Sequence, residues 1–178
     1  MSHTIRRFEP RDQAAVTAFA AALPEHDLLF LSRDLREPRV IAAWLRAIEE
    51  GEIDSLVAEG PGGEILGTAA LVLDPLSWSA HVGEVRLLVA PGARGSGLGS
   101  ELLETIFEIA QGRGLAKLTA RMTVDQAGAI ALFEGVGFRA EAMLKDQVRG
   151  ADGRTHDLAI LSYDAARVAA RHQATGIA

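Results

Sequence analysis

The stretch Glu84-Val85-Arg86-Leu87-Leu88-Val89-Ala90-Pro91-Gly92-Ala93-Arg94-Gly95-Ser96-Gly97-Leu98-Gly99-Ser100-Glu101-Leu102-Leu103-Glu104-Thr105-Ile106-Phe107 changes its period in the middle. Its first half is a short apolar and β-branched run closed by a Pro-Gly turn. Its second half is glycine-rich and opens onto Leu98, Leu102, Ile106 and Ile109 at helical spacing. The pattern predicts strand, tight loop, helix. The first amides of a helix have no partner within it and carry partial positive charge, so glycines at that point let an anion reach the backbone with no Cβ in the way. A phosphate or pyrophosphate is the natural guest, and Arg94 adds a full positive charge beside it. The third glycine comes one residue too early for the dinucleotide fingerprint, and no Lys-hydroxyl pair follows as a P-loop requires. The bland alternative is that the glycines only make a tight turn.

Working outward, 178 residues with 48% hydrophobic content suit one folded domain with a substantial core. No run of about 18 apolar residues is present to span a bilayer, and Met1-Ser2-His3-Thr4-Ile5-Arg6-Arg7 lacks the apolar centre of a signal peptide. Cysteine is absent, which excludes disulfides and thiolate metal sites and makes a reducing cytoplasm the simplest expected location. A net charge of −6 disfavours nucleic acid and mildly favours cationic partners such as amines.

Upstream, Thr4 to Phe8 alternates as a strand, and Pro10 with Asp12 starts a helix carrying Ala15, Val16, Phe19 and Ala22. Leu23 to Glu37 reads as irregular. Pro38 and Gly51 bracket a helix with Ile41, Trp44, Leu45 and Ile48 on one face, where Trp44 reads as core. Asp54–Glu59 and Ile65–Leu73 form an antiparallel hairpin around Gly60-Pro61-Gly62-Gly63. Downstream, Gly114 ends the long helix, Leu115–Met122 is a strand parallel to the opening one, and Asp125 is expected to cap a helix that ends in Gly135-Val136-Gly137-Phe138. Two strands around Asp152-Gly153 follow, with a short helix expected over residues 165–172.

The sequence Val89-Ala90-Pro91-Gly92-Ala93-Arg94-Gly95-Ser96-Gly97-Leu98-Gly99 closely resembles the acetyl-CoA signature Val-x-Pro-x-x-Arg-Gly-x-Gly-x-Gly of the GNAT superfamily of N-acetyltransferases. The resemblance covers nearly the full chain and is sharp from Glu84 to Phe138. It implies one domain over 1–178, with an acceptor-bordering part (1–81), an acetyl-CoA core (82–138) and a closing hairpin and tail (139–178). The implied fold is a mixed α/β domain, its mostly antiparallel sheet of six or seven strands containing one splayed parallel pair and flanked by about four helices. It implies acetyl-CoA as acyl-donor cosubstrate and no metal. The amides of Gly95, Ser96, Gly97, Leu98 and Gly99, with Arg94, would take the pyrophosphate. Leu87, Leu88 and Val89 would hold the pantetheine arm along an open strand edge, or be an ordinary buried strand, and the Leu88 amide would face the thioester carbonyl.

Within that reading, Glu84 is either a base acting through water or a salt-bridge partner of Arg86 or Arg121, and His81 is the substitute base. Gln126 keeps an amide for the pantetheine. Phe133 departs from the family, standing where a tyrosine commonly protonates the leaving thiolate. Phe30, Arg33, Asp34, Trp78 and His81 come from segments that would border the acceptor, as do Asp146 and His156, each also readable as ordinary surface. The expected activity is acetyl transfer to a primary amine, with a small molecule favoured over a protein N-terminus or lysine and no covalent enzyme intermediate. An acetyl-CoA sensor or interaction domain with little catalysis is the alternative from another class, and a nucleotide-binding protein a more distant one. The apolar, β-rich final third leaves room for a homodimer; neither nucleic acid nor membrane is an expected partner.

Overall fold

The computed structural model describes residues 2–165. The strands are β1 (Thr4–Arg7), β2 (Ile53–Glu59), β3 (Ile65–Val72), β4 (Val82–Val89), β5 (Lys117–Thr123), β6 (Arg139–Arg149) and β7 (Thr155–Asp164). They form one sheet in the order β1-β2-β3-β4-β5-β7-β6, and every described neighbour pair is antiparallel except β4 with β5. The helices are α1 (Gln13–Ala22), α2 (Pro38–Glu49), α3 (Leu98–Gly112) and α4 (Ala127–Gly135), with 3₁₀ turns at Pro10–Asp12, Glu25–Leu28 and Pro91–Ala93. This is the mixed sheet with four helices that the sequence predicts.

The two faces of the sheet are covered separately, because alternate residues of each strand face opposite sides. The apolar stripe of α3 (Leu98, Leu102, Ile106, Ala110) is buried against Leu56, Ala58, Leu71 and Val85. Helices α1 and α2 bring Val16, Phe19 and Ile41 onto the other face, against Val57, Leu88 and Leu158. Leu88 thus points away from its neighbour Val85's layer.

Several boundaries move by a residue or more, two of them for a visible reason. The strand expected from Leu115 begins at Lys117 because Leu115 still belongs to the end of α3: its amide donates to Ala110 O at 3.2 Å while Gly114, at φ +70°, donates to Gln111 O at 2.9 Å. This doubly bonded ending requires the left-handed backbone that glycine adopts freely. Asp125 does not cap α4. Gln126 occupies that position, no side chain caps the helix, and the Asp125 carboxylate turns to His26 instead. The helix expected over residues 165–172 lies almost wholly outside the described residues.

The chain entry is fastened electrostatically. Arg6 donates to both carboxylate oxygens of buried Asp12 at 2.7 Å and to Glu59 at 2.8 Å, and the Glu9 amide adds a third bond to Asp12 at 2.9 Å. The Arg6 guanidinium holds the Asp12 carboxyl below the usual carboxylate range, against the opposing effect of burial. A carboxyl whose folded pKa is depressed stabilises the fold above its unfolded value of about 3.9 and loses that contribution as pH falls through the folded value. Asp12→Asn should therefore cost about 1–3 kcal/mol at pH 7 in urea titrations. The difference from wild type should shrink in acid below about pH 4; a pH-independent difference would show that the ion pair is not its origin.

Candidate active site

Strands β4 and β5 are in register only from Val82 opposite Lys117 to Val85 opposite Ala120. Beyond that point β4 runs on to Val89 and β5 to Thr123 without pairing, so one edge of β4 is open. Which peptide groups face the opening follows from alternation along the strand. The Ala90 amide donates to Leu66 O of β3 at 2.8 Å, and the β3–β4 register is unbroken from Gly67 opposite Val89 to Val72 opposite Glu84. Leu88 and Arg86 therefore direct their peptide groups at β3, whereas Leu87 and Val89 direct theirs into the gap. This corrects the expectation at Leu88: its amide belongs to the β3 ladder, and the free donor nearest the fork is that of Leu87. Composition could not reveal this, since one residue of phase decides it.

The gap continues into a cleft of about 700 Å³. Its walls include Leu87, Leu88 and Val89 of β4, Arg121 and Met122 of β5, and Gln126 and Phe133 of α4. At one end the glycine loop closes it. Gly95 and Gly97 take φ of +72° and +91°, and Gly97 precedes the first residue of α3 with no side-chain cap, so the helix-start amides stay available. Gly99 is small for a packing reason, since a Cβ there would lie 3.0 Å from Leu132 Cδ2 of α4. Ser96 and Leu98 offer only backbone, as the Ser96 hydroxyl donates back to Ala93 O at 2.7 Å and Leu98 is buried in the core. Arg94 lies half-exposed at the cleft edge, its Nε donating to Val89 O at 3.2 Å and its Nη2 paired with Asp27.

A second cavity of about 420 Å³ lies across Leu88, whose side chain lines both spaces. Its floor is Thr68 and Ala70 of β3 with Arg86 of β4, and Leu35, Arg33 and Trp44 stand around it. Trp44 stacks on Phe8 at 5.8 Å, and its indole nitrogen is buried without a hydrogen-bond partner. At the fork of β4 and β5, the two carboxylate oxygens of Glu84 are shared out, Oε1 accepting from Arg86 Nε at 2.9 Å and Oε2 lying 3.9 Å from Arg121 Nε. The salt-bridge reading of Glu84 is thus the one its geometry displays.

The expected acceptor residues are not brought together. Phe30 lines the 700 Å³ cleft and Arg33 the second cavity. Asp34 lies in a separate depression near Arg149, its carboxyl held below the usual range by hydrogen bonds from Arg36. Trp78 and His81 are exposed and line none of these three spaces, because the β3–β4 loop leaves the sheet at the far end of β4, about 20 Å of extended strand from Leu88. Asp146 accepts from the Thr155 hydroxyl. The sequence reading missed His26, Asp27 and Asp125 as cleft residues, whereas Arg121, named as a partner for Glu84, stands beside it. The first two lie in a stretch with no periodicity, and Asp125 reads as a helix cap.

With this geometry in place, comparison with known proteins is informative. The acetyltransferase (GNAT) family model matches residues 16–138. The chain belongs to the GNAT family. It is 37% identical over 95 residues to the IAA acetyltransferase of Azospirillum brasilense, a match covering 53% of this chain and 60% of that relative. It is 31% identical over 127 residues to the L-methionine sulfoximine/L-methionine sulfone acetyltransferase of Pseudomonas paraeruginosa, covering 68% of this chain and 71% of that one. The fold is shared with the yncA protein of Salmonella typhimurium, solved with its cofactor acetyl-CoA, at a TM-score of 0.77 and 24% identity over 92% of this chain and 94% of that chain.

The two tryptophans of this GNAT protein differ in exposure, Trp44 partly buried and stacked on Phe8 and Trp78 fully exposed. Trp78→Phe should leave unfolding free energy within about 0.5 kcal/mol of wild type, and its remaining fluorescence should resist acrylamide. Emission quenched as readily as in wild type would contradict the placement of both rings.

Proposed function

We propose that the chain transfers an acetyl group from acetyl-CoA to the primary amine of a small molecule, by direct attack and without an acyl-enzyme. The observation that carries this reading is the meeting of two cavities at Leu88, one open along an unpaired strand edge and ending at a glycine-lined helix start, the other bordered by Arg33, Arg86 and the unpartnered indole nitrogen of Trp44. The peptide groups of Leu87 and the amide of Val89, directed into the gap, fit an amide-bearing pantetheine arm as an added strand would. The amides at the start of α3 and Arg94 fit a pyrophosphate, each charge-assisted bond contributing about 1.5–3 kcal/mol. Acetyl-CoA supplies the activated acyl group when bound.

The rest of the chemistry falls to side chains and backbone. The Leu87 amide, aimed into the gap, is placed to stabilise negative charge on the carbonyl oxygen. Arg121 lines the larger cleft and Arg86 and Arg33 the smaller cavity, and positive charge beside an amine favours its neutral, nucleophilic form. The same cations suit an acceptor whose amine neighbours a carboxylate or similar anion. Glu84 holds Arg86 in place, and the departing proton passes to solvent. Two relatives, named for methionine sulfoximine and IAA, are in keeping with a small acceptor. Phe133, buried against Phe138 at 5.0 Å, brings no hydroxyl to the leaving thiolate, and this one feature favours the reading of an acetyl-CoA sensor with little turnover.

Thiol release from acetyl-CoA against amino acids, polyamines, aminoglycosides and N-terminal peptides separates these readings. Turnover is expected with a small amine bearing an anionic group. Arg94→Ala should raise the KM for acetyl-CoA about ten- to hundredfold, the equivalent of one charge-assisted contact. Glu84→Gln should raise the acceptor KM and leave the shape of the pH profile unchanged, whereas a pH limb displaced upward would make Glu84 the base. Tight CoA binding by calorimetry with no acceptor turned over would favour the sensor.

A further inference from the structure

Three side chains outside the acetyl-transfer chemistry converge at the rim of the larger cleft. His26 comes from the turn at Glu25–Leu28, Asp125 from the junction of β5 and α4, and His156 from β7. One potential ligand atom from each lies within 4.8 Å of the other two. His26 Nε2 is 2.9 Å from Asp125 Oδ1 and 3.1 Å from the hydroxyl of fully buried Thr123. The His26 and His156 rings meet edge-on with centroids 5.0 Å apart.

A hydrogen-bonded staple would need only part of this. Asp125 and Thr123 already satisfy His26, yet His156 stands against the pair and makes no side-chain hydrogen bond among the described residues. Its ring nitrogens therefore keep a free lone pair. Two neutral imidazoles and one carboxylate are the donor set that zinc-class ions take, with bonds near 2.0–2.1 Å that place tetrahedral donors about 3.4 Å apart. The His26–Asp125 separation already fits within that spacing, and a rotation of the His156 ring closes the remaining distance. A fourth position would face the cleft, which His26 and Asp125 both line.

We propose that His26, Asp125 and His156 form a binding site for one divalent ion of the zinc class. Such an ion ties three separate elements together at the rim of the cleft, and it fixes the residue next to Asp27, the partner of Arg94. The inference does not rest on the acetyltransferase reading, since the ligands are set by geometry alone.

The chain has no cysteine and five histidines, so metal titrations of the full protein carry no thiolate background. Calorimetry with zinc chloride should show one saturable site of micromolar affinity or tighter, and cobalt(II) chloride should give the intense visible absorption of a site with fewer than six ligands. His156→Ala and Asp125→Asn should each weaken zinc binding at least tenfold, while His81→Ala, remote from the cluster, should leave it unchanged. Circular dichroism of the metal-free variants, matching wild type, would tie the loss to ligands rather than to folding. Absence of saturable binding below millimolar zinc, or binding that survives His156→Ala undiminished, would overturn the site.

Discussion

The parting of β4 from β5 is the constraint on which the remaining architecture depends. A parallel pair buried between helices normally stays zipped, because an unpaired buried peptide group costs roughly the desolvation of its donor or acceptor. Here pairing ends after Val85 opposite Ala120, and the next pair in register would set Arg86 against Arg121. Two guanidiniums directly opposite repel, and the one carboxylate at the fork, Glu84, is placed to hold both. The electrostatics at that rung give a physical reason for the place of the split. The space it opens is lined by main-chain groups that still require partners.

Leu88 then divides that space. Its peptide group is committed to β3 while its side chain, 6% exposed, stands between the cleft and the smaller cavity. The strand thus carries two functions in alternate residues: peptide groups of Leu87 and Val89 toward the cleft, side chains of Arg86 and Leu88 toward the smaller cavity. A single-residue slip of β4 against β3 would exchange these roles throughout. The unbroken β3–β4 register therefore sets the chemistry of the site as much as any side chain does.

Legibility from sequence follows from how local each feature is. The strand-loop-helix around Gly95, Gly97 and Gly99, the hairpin at Asp152-Gly153 and the amphipathic α3 are written in short-range patterns, and the structure reproduces them. Asp125 illustrates the opposite case. Its position before a helix suggests a cap, but His26, 99 residues away in sequence, takes its carboxylate. Trp78 likewise draws attention as a loop aromatic, though its distance from Leu88 depends on which end of β4 the loop joins. Phase and long-range pairing decided each of these, and neither is visible in composition or spacing.

The segment between α1 and α2 links the two sides of the site. Asp27 holds Arg94 at the glycine loop, Phe30 closes on the cleft, and Ser32, Arg33 and Leu35 form a wall of the smaller cavity, all within nine residues of one stretch. On the proposed reading, a phosphate at the start of α3 would draw on the guanidinium that Asp27 now holds. Such an exchange would free Asp27 from the loop and change the tether on a segment that also borders the smaller cavity. The cleft and the smaller cavity are in this way bordered by one short stretch of chain, so that on the proposed reading a change at Asp27 would reach the wall of both.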